Sequence, residues 1–71
     1  MTKRRLIVIG AGGHGRSVAE AAGLSGQFEV MGFLDDTLHE GEILRGVPVL
    51  GGVSSITKHH SLTDEVIVAV G

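Results

Sequence analysis

The sequence predicts an α/β fold, in which a mostly parallel sheet is flanked by helices. Three observations predict this class. Strand-like apolar runs alternate with helix-like segments in the order β-α-β-β-α-β. The first and last runs are apolar on successive residues, which is typical of parallel strands buried on both faces. Right-handed crossovers between such strands then favour the spatial strand order 3-2-1-4, the first half of a doubly wound sheet.

Four strands are expected. The first covers Leu6 to Ile9, a continuous β-branched run, and the second covers Phe28 to Leu34. Val47 to Leu50 forms a short third strand, and because Pro48 has no N–H to donate, an edge position is favoured. The fourth strand, Glu65 to Val70, is again apolar on successive residues and is expected to be buried on both faces.

Two helices connect these strands. The first is expected over His14 to Leu24, where Val18, Ala21 and Ala22 stand at i, i+3 and i+4 and give one apolar face. The second, over Val53 to His60, is short and poor in strong helix formers. Each helix therefore serves as a crossover between parallel strands.

Composition excludes several classes of function. The chain has 71 residues, a net charge of −2 and no cysteine, which indicates one domain without disulfides, thiolate zinc sites or cysteine nucleophiles. The acidic balance argues against a nucleic-acid or anionic-membrane partner. His59 and His60 are adjacent and do not face the same way on a helix, so no metal site is expected. The absence of cysteine agrees with a cytoplasmic setting.

A glycine loop follows the first strand. Gly10, Gly12 and Gly15 match G-x-G-x-x-G between a strand and a helix, which is the context that a phosphate-binding loop requires. Gly10 permits the tight turn, Gly12 lets a ligand approach the backbone, and Gly15 lets the helix pack on the sheet. The helix N-terminus then offers unpaired N–H groups to phosphate. The alternative is a glycine-rich turn that binds no ligand.

Polar residues surround this loop at the carboxyl ends of the strands. His14 either donates to a phosphate or a sugar hydroxyl, or bonds locally. Asp35 and Asp36 close the second strand, where an acid accepts hydrogen bonds from ribose in dinucleotide folds. Adjacent acids point in different directions, so one reaches a given ligand group while the other caps a turn; the alternative is a plain Asp-Asp turn. Gly71 follows the fourth strand, and all these residues are expected to line one crevice.

Four blocks of the chain resemble one family. Leu6 to Gly15, Gly32 to Asp36, Gly46 to Gly51 and Val66 to Gly71 are similar to successive motifs of the sialic acid O-acetyltransferase family, the NeuD/PglD-like sugar acetyltransferases. The resemblance spans essentially the whole chain. The Gly-Gly-His-Gly variant, with its later Asp-Asp, is far more specific than G-x-G-x-x-G alone.

The resemblance implies a Rossmann-like N-terminal domain, residues 1–71, that stands before a left-handed β-helix of hexapeptide repeats. In this family the front domain binds a UDP-linked amino sugar or a sialic acid-type sugar. The β-helix holds acetyl-CoA and the catalytic histidine. The full-length proteins are homotrimers that act in glycan biosynthesis. By motif match the substrate contacts fall on Gly12, Gly13, His14, Asp35, Asp36 and Gly71.

No catalytic residue is expected within this chain, because it contains no hexapeptide repeat. It ends on Gly71, directly after a strand of the buried type, so we expect it to be truncated from a larger N- or O-acetyltransferase and inactive alone. Two other hypotheses stay open. One is an NAD-binding half-domain of an oxidoreductase or redox sensor, based on the glycine loop and Asp35. The other is a non-catalytic nucleotide-sensing module.

Overall fold

The computed structural model describes residues 3–69, which form a five-stranded sheet with helical segments between β1 and β2 and between β4 and β5. The sheet order is β3-β4-β2-β1-β5, and every neighbouring pair is parallel except β3 with β4. The strands are β1 Arg4–Ile9, β2 Phe28–Leu34, β3 Ile43–Leu44, β4 Val47–Gly51 and β5 Glu65–Val68.

The helical segments lie close to their expected positions. α1 spans Gly13–Leu24. The second segment is irregular: a 3₁₀ turn over Val53–Ser55 leads into a short α2, Ile56–His59, and a second 3₁₀ turn covers His60–Leu62. Between residues 3 and 69, no helix is long and apolar enough to cross a membrane.

The Rossmann-like strand order is confirmed. The four predicted strands are β1, β2, β4 and β5, and their order β4-β2-β1-β5 is the expected 3-2-1-4. The two helical crossovers run in opposite directions along the sheet, from β1 to β2 and from β4 to β5. The rule that such crossovers are right-handed predicts α1 and α2 on opposite faces.

The short strand β3 was not expected. It pairs antiparallel with β4 through a tight turn at Arg45 and Gly46, whose φ angles are 51° and 83°. Two positive φ angles are typical of the two-residue turns that suit hairpins. β3 therefore covers β4, and Pro48, opposite Ile43, does not lie on an open edge of the sheet. Two residues are too few to show a strand periodicity in the sequence.

The core forms on both faces of the three central strands. Phe33 lies between Val8 and Val49 in the register of the sheet, and these three side chains pack with Ala19 of α1. Ile7 is fully buried and belongs to the opposite face, because side chains alternate along a strand. The successive apolar residues of β1 are thus explained by burial on both faces.

β5 departs from the prediction. Its apolar residues Val66, Ile67 and Val68 are 42%, 40% and 63% exposed, so the strand is not buried on both faces. Within residues 3–69, β5 pairs with β1 alone and forms an edge of the sheet. A run of apolar residues shows that a strand can be buried. Whether the strand is buried depends on which segments pack against it. Val70, the expected last residue of this strand, lies outside the described residues.

A clamp of hydrogen bonds fixes the start of β5 to the start of β1. The carboxylate of Asp64 accepts from the backbone N–H of Arg5 at 2.9 Å and from its guanidinium at 3.1 and 3.3 Å. The Asp64 N–H donates in turn to the Arg5 carbonyl at 2.9 Å. These bonds, and mainly those of the guanidinium, lower the pKa of Asp64 from 3.8 to about 2.

Candidate ligand site at the carboxyl ends of the strands

The glycine loop begins with a turn that requires a glycine. Gly10 follows β1 with φ 102°, a region that residues with a side chain rarely adopt. Its N–H donates to the carbonyl of Leu34, at the end of β2, over 2.8 Å. The chain therefore turns sharply away from the sheet where two neighbouring parallel strands end.

Gly15 allows α1 to begin close to that turn. It is buried, and a Cβ atom built on it would overlap the carbonyl oxygen of Gly10. That atom would also lie 3.8 Å from Cβ of Ala69, which follows β5. The first turn of the helix thus packs directly on backbone at the carboxyl edge of the sheet.

The N-terminus of α1 opens onto this edge. Gly12 is the N-cap residue and has no side chain to cap the first turn, and no acidic residue lies within that turn. Gly12, Gly13 and His14 are exposed, and Cβ atoms built on the two glycines would meet nothing within 4 Å. An uncapped helix start carries free N–H groups and a partial positive charge. The arrangement is able to bind an anionic group such as phosphate.

Asp35 faces the glycine loop. Its Oδ2 accepts from the N–H of Ala11 at 2.8 Å, and its Oδ1 accepts from the N–H and hydroxyl of Thr37 at 2.8 and 2.5 Å. The Thr37 hydroxyl contributes most, and together with the two amides it lowers the pKa of Asp35 below its ordinary value. The carboxylate is therefore ionised and largely occupied by bonds within the protein.

Asp36 faces the other side of the site. It is exposed, and its Oδ1 accepts from the N–H of Val53 at 2.8 Å, at the start of the second helical segment. A Cβ atom built on Gly52 would lie 2.7 Å from the same oxygen, so the carboxylate rests against this backbone. Asp36 thus joins the end of β2 to the loop after β4.

The structure brings most of the predicted site residues to one edge. The glycine loop follows β1 and the acid pair follows β2, and a hydrogen bond between Asp35 and Ala11 joins them directly. The predicted contact at Gly71 lies outside the described residues. His59 and His60 belong to the second helical segment and not to this edge.

Three residues of the site were missed from the sequence: Ala11, Thr37 and Val53, which donate to the acid pair. For Thr37 a signal was present. An Asp two residues before a Thr at the end of a strand is typical of a turn in which the side chain accepts the later N–H. The contributions of Ala11 and Val53 are backbone N–H groups brought close by the fold, and no local pattern shows them.

Two grooves lie elsewhere on the described part of the chain. A groove of about 330 Å³ separates α1 from the β3–β4 hairpin, and Phe33, Leu44 and Val47 line part of it. An ion pair between Arg45 and Glu20 joins the hairpin to the helix beside this groove. A second groove, of about 500 Å³, lies along β5. Neither of these two grooves is lined by the glycine loop or the acid pair.

Comparison with protein families gives one match over residues 5–71, to the family described as the PglD N-terminal domain. A comparison with curated proteins finds no match.

Two solved structures are similar to this chain. Both are the acetyltransferase domain of PglB from Neisseria gonorrhoeae FA1090, one of them in complex with acetyl coenzyme A. The complex is 39% identical with a TM-score of 0.78, over 97% of this chain and 33% of that one. The other structure is 39% identical with a TM-score of 0.77, over 96% and 33%. The chain thus spans about one third of the length of these relatives.

Proposed function

This chain belongs to the PglD N-terminal domain family, and on that premise we propose that it is the substrate-binding part of an acetyl-CoA-dependent sugar acetyltransferase. The substrate is a UDP-linked amino sugar or a sialic acid-type sugar, which is acetylated on nitrogen or oxygen. The observation that carries the proposal is the family match over residues 5–71, joined to 39% identity with a PglB acetyltransferase domain.

In this proposal the chain supplies binding and orientation. The free N–H groups at the start of α1 hold the phosphates of the sugar nucleotide, and Gly12 and Gly13 allow these phosphates to approach the backbone. His14 is exposed at the same opening and donates to a phosphate or to a sugar hydroxyl. Asp36 is exposed and bonds to Val53 through Oδ1, and its other carboxylate oxygen accepts from a donor on the nucleoside or the sugar.

Acetylation itself requires the remainder of such an enzyme. Acetyl-CoA supplies the acetyl group as a thioester, and one of the similar PglB structures holds acetyl coenzyme A. We assign acetyl-CoA and the catalytic base to the region beyond the third of the PglB chain that this chain matches. An oriented acceptor amine or hydroxyl gains rate because the bimolecular encounter becomes effectively intramolecular.

Assembly and location extend the proposal. We propose that the full-length enzyme is a homotrimer, as the family resemblance implies, with each front domain presenting one sugar. The chain contains no cysteine, so nothing in it requires an oxidising compartment, and we propose that the enzyme works in the cytoplasm.

The test is a calorimetric titration of the 71-residue chain with a UDP-linked amino sugar and, separately, with NADH. We expect heat of binding from the sugar nucleotide alone. Binding of NADH alone would overturn the proposal in favour of an oxidoreductase half-domain. Binding of neither ligand would contradict the assignment of this chain as a self-sufficient binding part.

A matched pair of variants locates the site. Gly12→Val places a branched side chain where the phosphates approach, and affinity for the sugar nucleotide should fall at least about tenfold, the loss of one charge-assisted contact. Gly23→Val is the control, since it lies in the last turn of α1 and its added Cβ also meets nothing within 4 Å. Equal affinity in the two variants would remove the glycine loop from the site.

A further inference from the structure

Two adjacent carboxylates bond to two different loops at the ligand edge. Asp35 accepts from Ala11 in the glycine loop, and Asp36 accepts from Val53 after β4. We infer that these acids are positioning residues, Asp35 for the glycine loop and Asp36 for the loop after β4, and that together they set the width of the site. The consequence for ligand affinity rests on the proposed function, whereas the positioning itself does not.

The bond from Ala11 to Asp35 fixes one peptide of the glycine loop. Ala11 is 5% exposed, so water has little access to replace a lost acceptor for its N–H. The acceptor is itself held in place, because Thr37 bonds its second oxygen twice. The backbone N–H of Asp35 also donates to the carbonyl of Gly51 at 3.0 Å, which ties the same residue to β4.

The bond from Val53 to Asp36 fixes the opposite wall. Val53 begins the second helical segment, and its N–H is one of the groups that a helical start leaves without a backbone partner. The acid that accepts it comes from β2, and the accepting oxygen also rests against Gly52. Moving this carboxylate would therefore move the loop relative to the sheet.

The two positions differ in how many acceptors they need. At residue 35 both carboxylate oxygens receive N–H donors, from Ala11 and Thr37, whereas at residue 36 only Oδ1 receives one from residues 3–69. An asparagine has one acceptor oxygen and one donor NH₂ group. Asp35→Asn must therefore leave one N–H facing another donor, while Asp36→Asn is able to keep its bond to Val53.

The experiment measures the backbone amides of Ala11 and Val53 by NMR in the 71-residue chain without ligand. We expect Asp35→Asn to shift the Ala11 or Thr37 amide resonance upfield and to speed hydrogen exchange there at least about tenfold, with Val53 unchanged. Asp36→Ala should do the same to Val53 and leave Ala11 unchanged. Asp36→Asn should return the chemical shift and exchange rate of the Val53 amide to those of the wild type. A general loss of stability would not be reversed in this way.

Two results would overturn the inference. One is an unchanged Ala11 and Thr37 in Asp35→Asn, and the other is a uniform change of both loops in every variant. If Asp35→Asn does not fold, Thr37→Val is the milder variant: it removes the shortest of the three bonds to Asp35, and the Ala11 amide should still shift while Val53 does not.

The effect of the same variants on ligand affinity is measured separately. If the wild-type chain binds the UDP-linked amino sugar, Asp35→Asn should weaken that binding about tenfold, and Asp36→Asn should weaken it less than Asp36→Ala. If the wild-type chain binds no sugar nucleotide, its assignment as a self-sufficient binding part fails, but the amide resonances still decide whether the acids position the loops.

Discussion

At the scale of single residues, the glycines of the loop have different physical roles although they stand in one motif. Gly10 adopts a φ of 102° that a side chain would strain. Gly15 has no room for a Cβ atom because the Gly10 carbonyl lies against it, whereas Gly12 and Gly13 have open space beside them. The fold therefore requires glycine at positions 10 and 15, whereas Gly12 and Gly13 leave space beside them in which a ligand could lie.

This difference is testable with two substitutions in the same turn of α1. Gly15→Ala should destabilise the fold by at least about 2 kcal/mol, because the added methyl group overlaps backbone that cannot rotate away. Gly13→Ala is the control and should leave stability within about 1 kcal/mol, since alanine favours the helix and meets no neighbour. Urea unfolding followed by circular dichroism measures both, and equal losses would contradict the packing of Gly15 on Gly10.

At the scale of secondary-structure elements, long strands and helices were predictable and their junctions were not. Phe28 to Leu34 was predicted with the bounds that β2 has, and α1 begins one residue before its predicted start. β3 and the 3₁₀ turns around α2 are too short to carry a periodic pattern. The attachment of β5 to β1 also depends on a long-range contact, between Arg5 and Asp64.

That contact predicts a dependence of stability on pH. The pKa of Asp64 is lower in the folded chain, about 2 against 3.8, so its stabilising effect is complete above 3.8 and is lost as pH falls toward 2. Asp64→Asn lacks the charge at every pH. We expect the wild type to unfold at higher urea concentration than Asp64→Asn at pH 6, and the difference to shrink steadily between pH 4 and about 2.

The comparison with Asp64→Asn isolates this one group, because Asp35 and the other acids titrate in both proteins. A difference in urea midpoint that stays constant from pH 6 to pH 2 would show that the clamp does not act through the Asp64 charge.

At the scale of the whole molecule, stability rests on a small core. Nine apolar residues are buried among those described, and five of them have large side chains with less than 2% exposure: Ile7, Val8, Phe33, Leu34 and Val49. A domain of this size has a free energy of unfolding of about 4–10 kcal/mol. Truncating one buried side chain in the centre of the sheet therefore costs an amount comparable with the whole free energy of unfolding.

The same leucine-to-alanine substitution at a buried and at an exposed position tests how much burial contributes to stability. Leu34→Ala removes a side chain that is 0% exposed and should cost about 2–5 kcal/mol, enough to populate the unfolded state at room temperature. Leu24→Ala, at a position 80% exposed, should change stability by less than about 0.5 kcal/mol. Thermal and urea unfolding of both variants gives the comparison, and similar losses would mean that β2 is not central to the core.

Those parts of the candidate site that depend on residues close in sequence were predictable. A glycine motif between a strand and a helix predicts a turn and an open helix start, because both depend on residues close in sequence. The placement of Asp35 and Asp36 beside that loop followed from strand order. Which oxygen meets which N–H did not follow, since Ala11 and Asp35 are 24 residues apart and the bond uses backbone that carries no sequence signal.

The sequence by itself determined the α/β class, the strand order and the edge at which the glycine loop and the acid pair meet, because periodicity, glycine positions and crossover handedness are local or general properties. Only the tertiary structure decided that β5 is exposed, that β3 covers β4, and that both acids bond to loops. These outcomes depend on which segments become neighbours in space. Burial and hydrogen bonding between distant residues are properties of the assembled fold, and no segment encodes them alone.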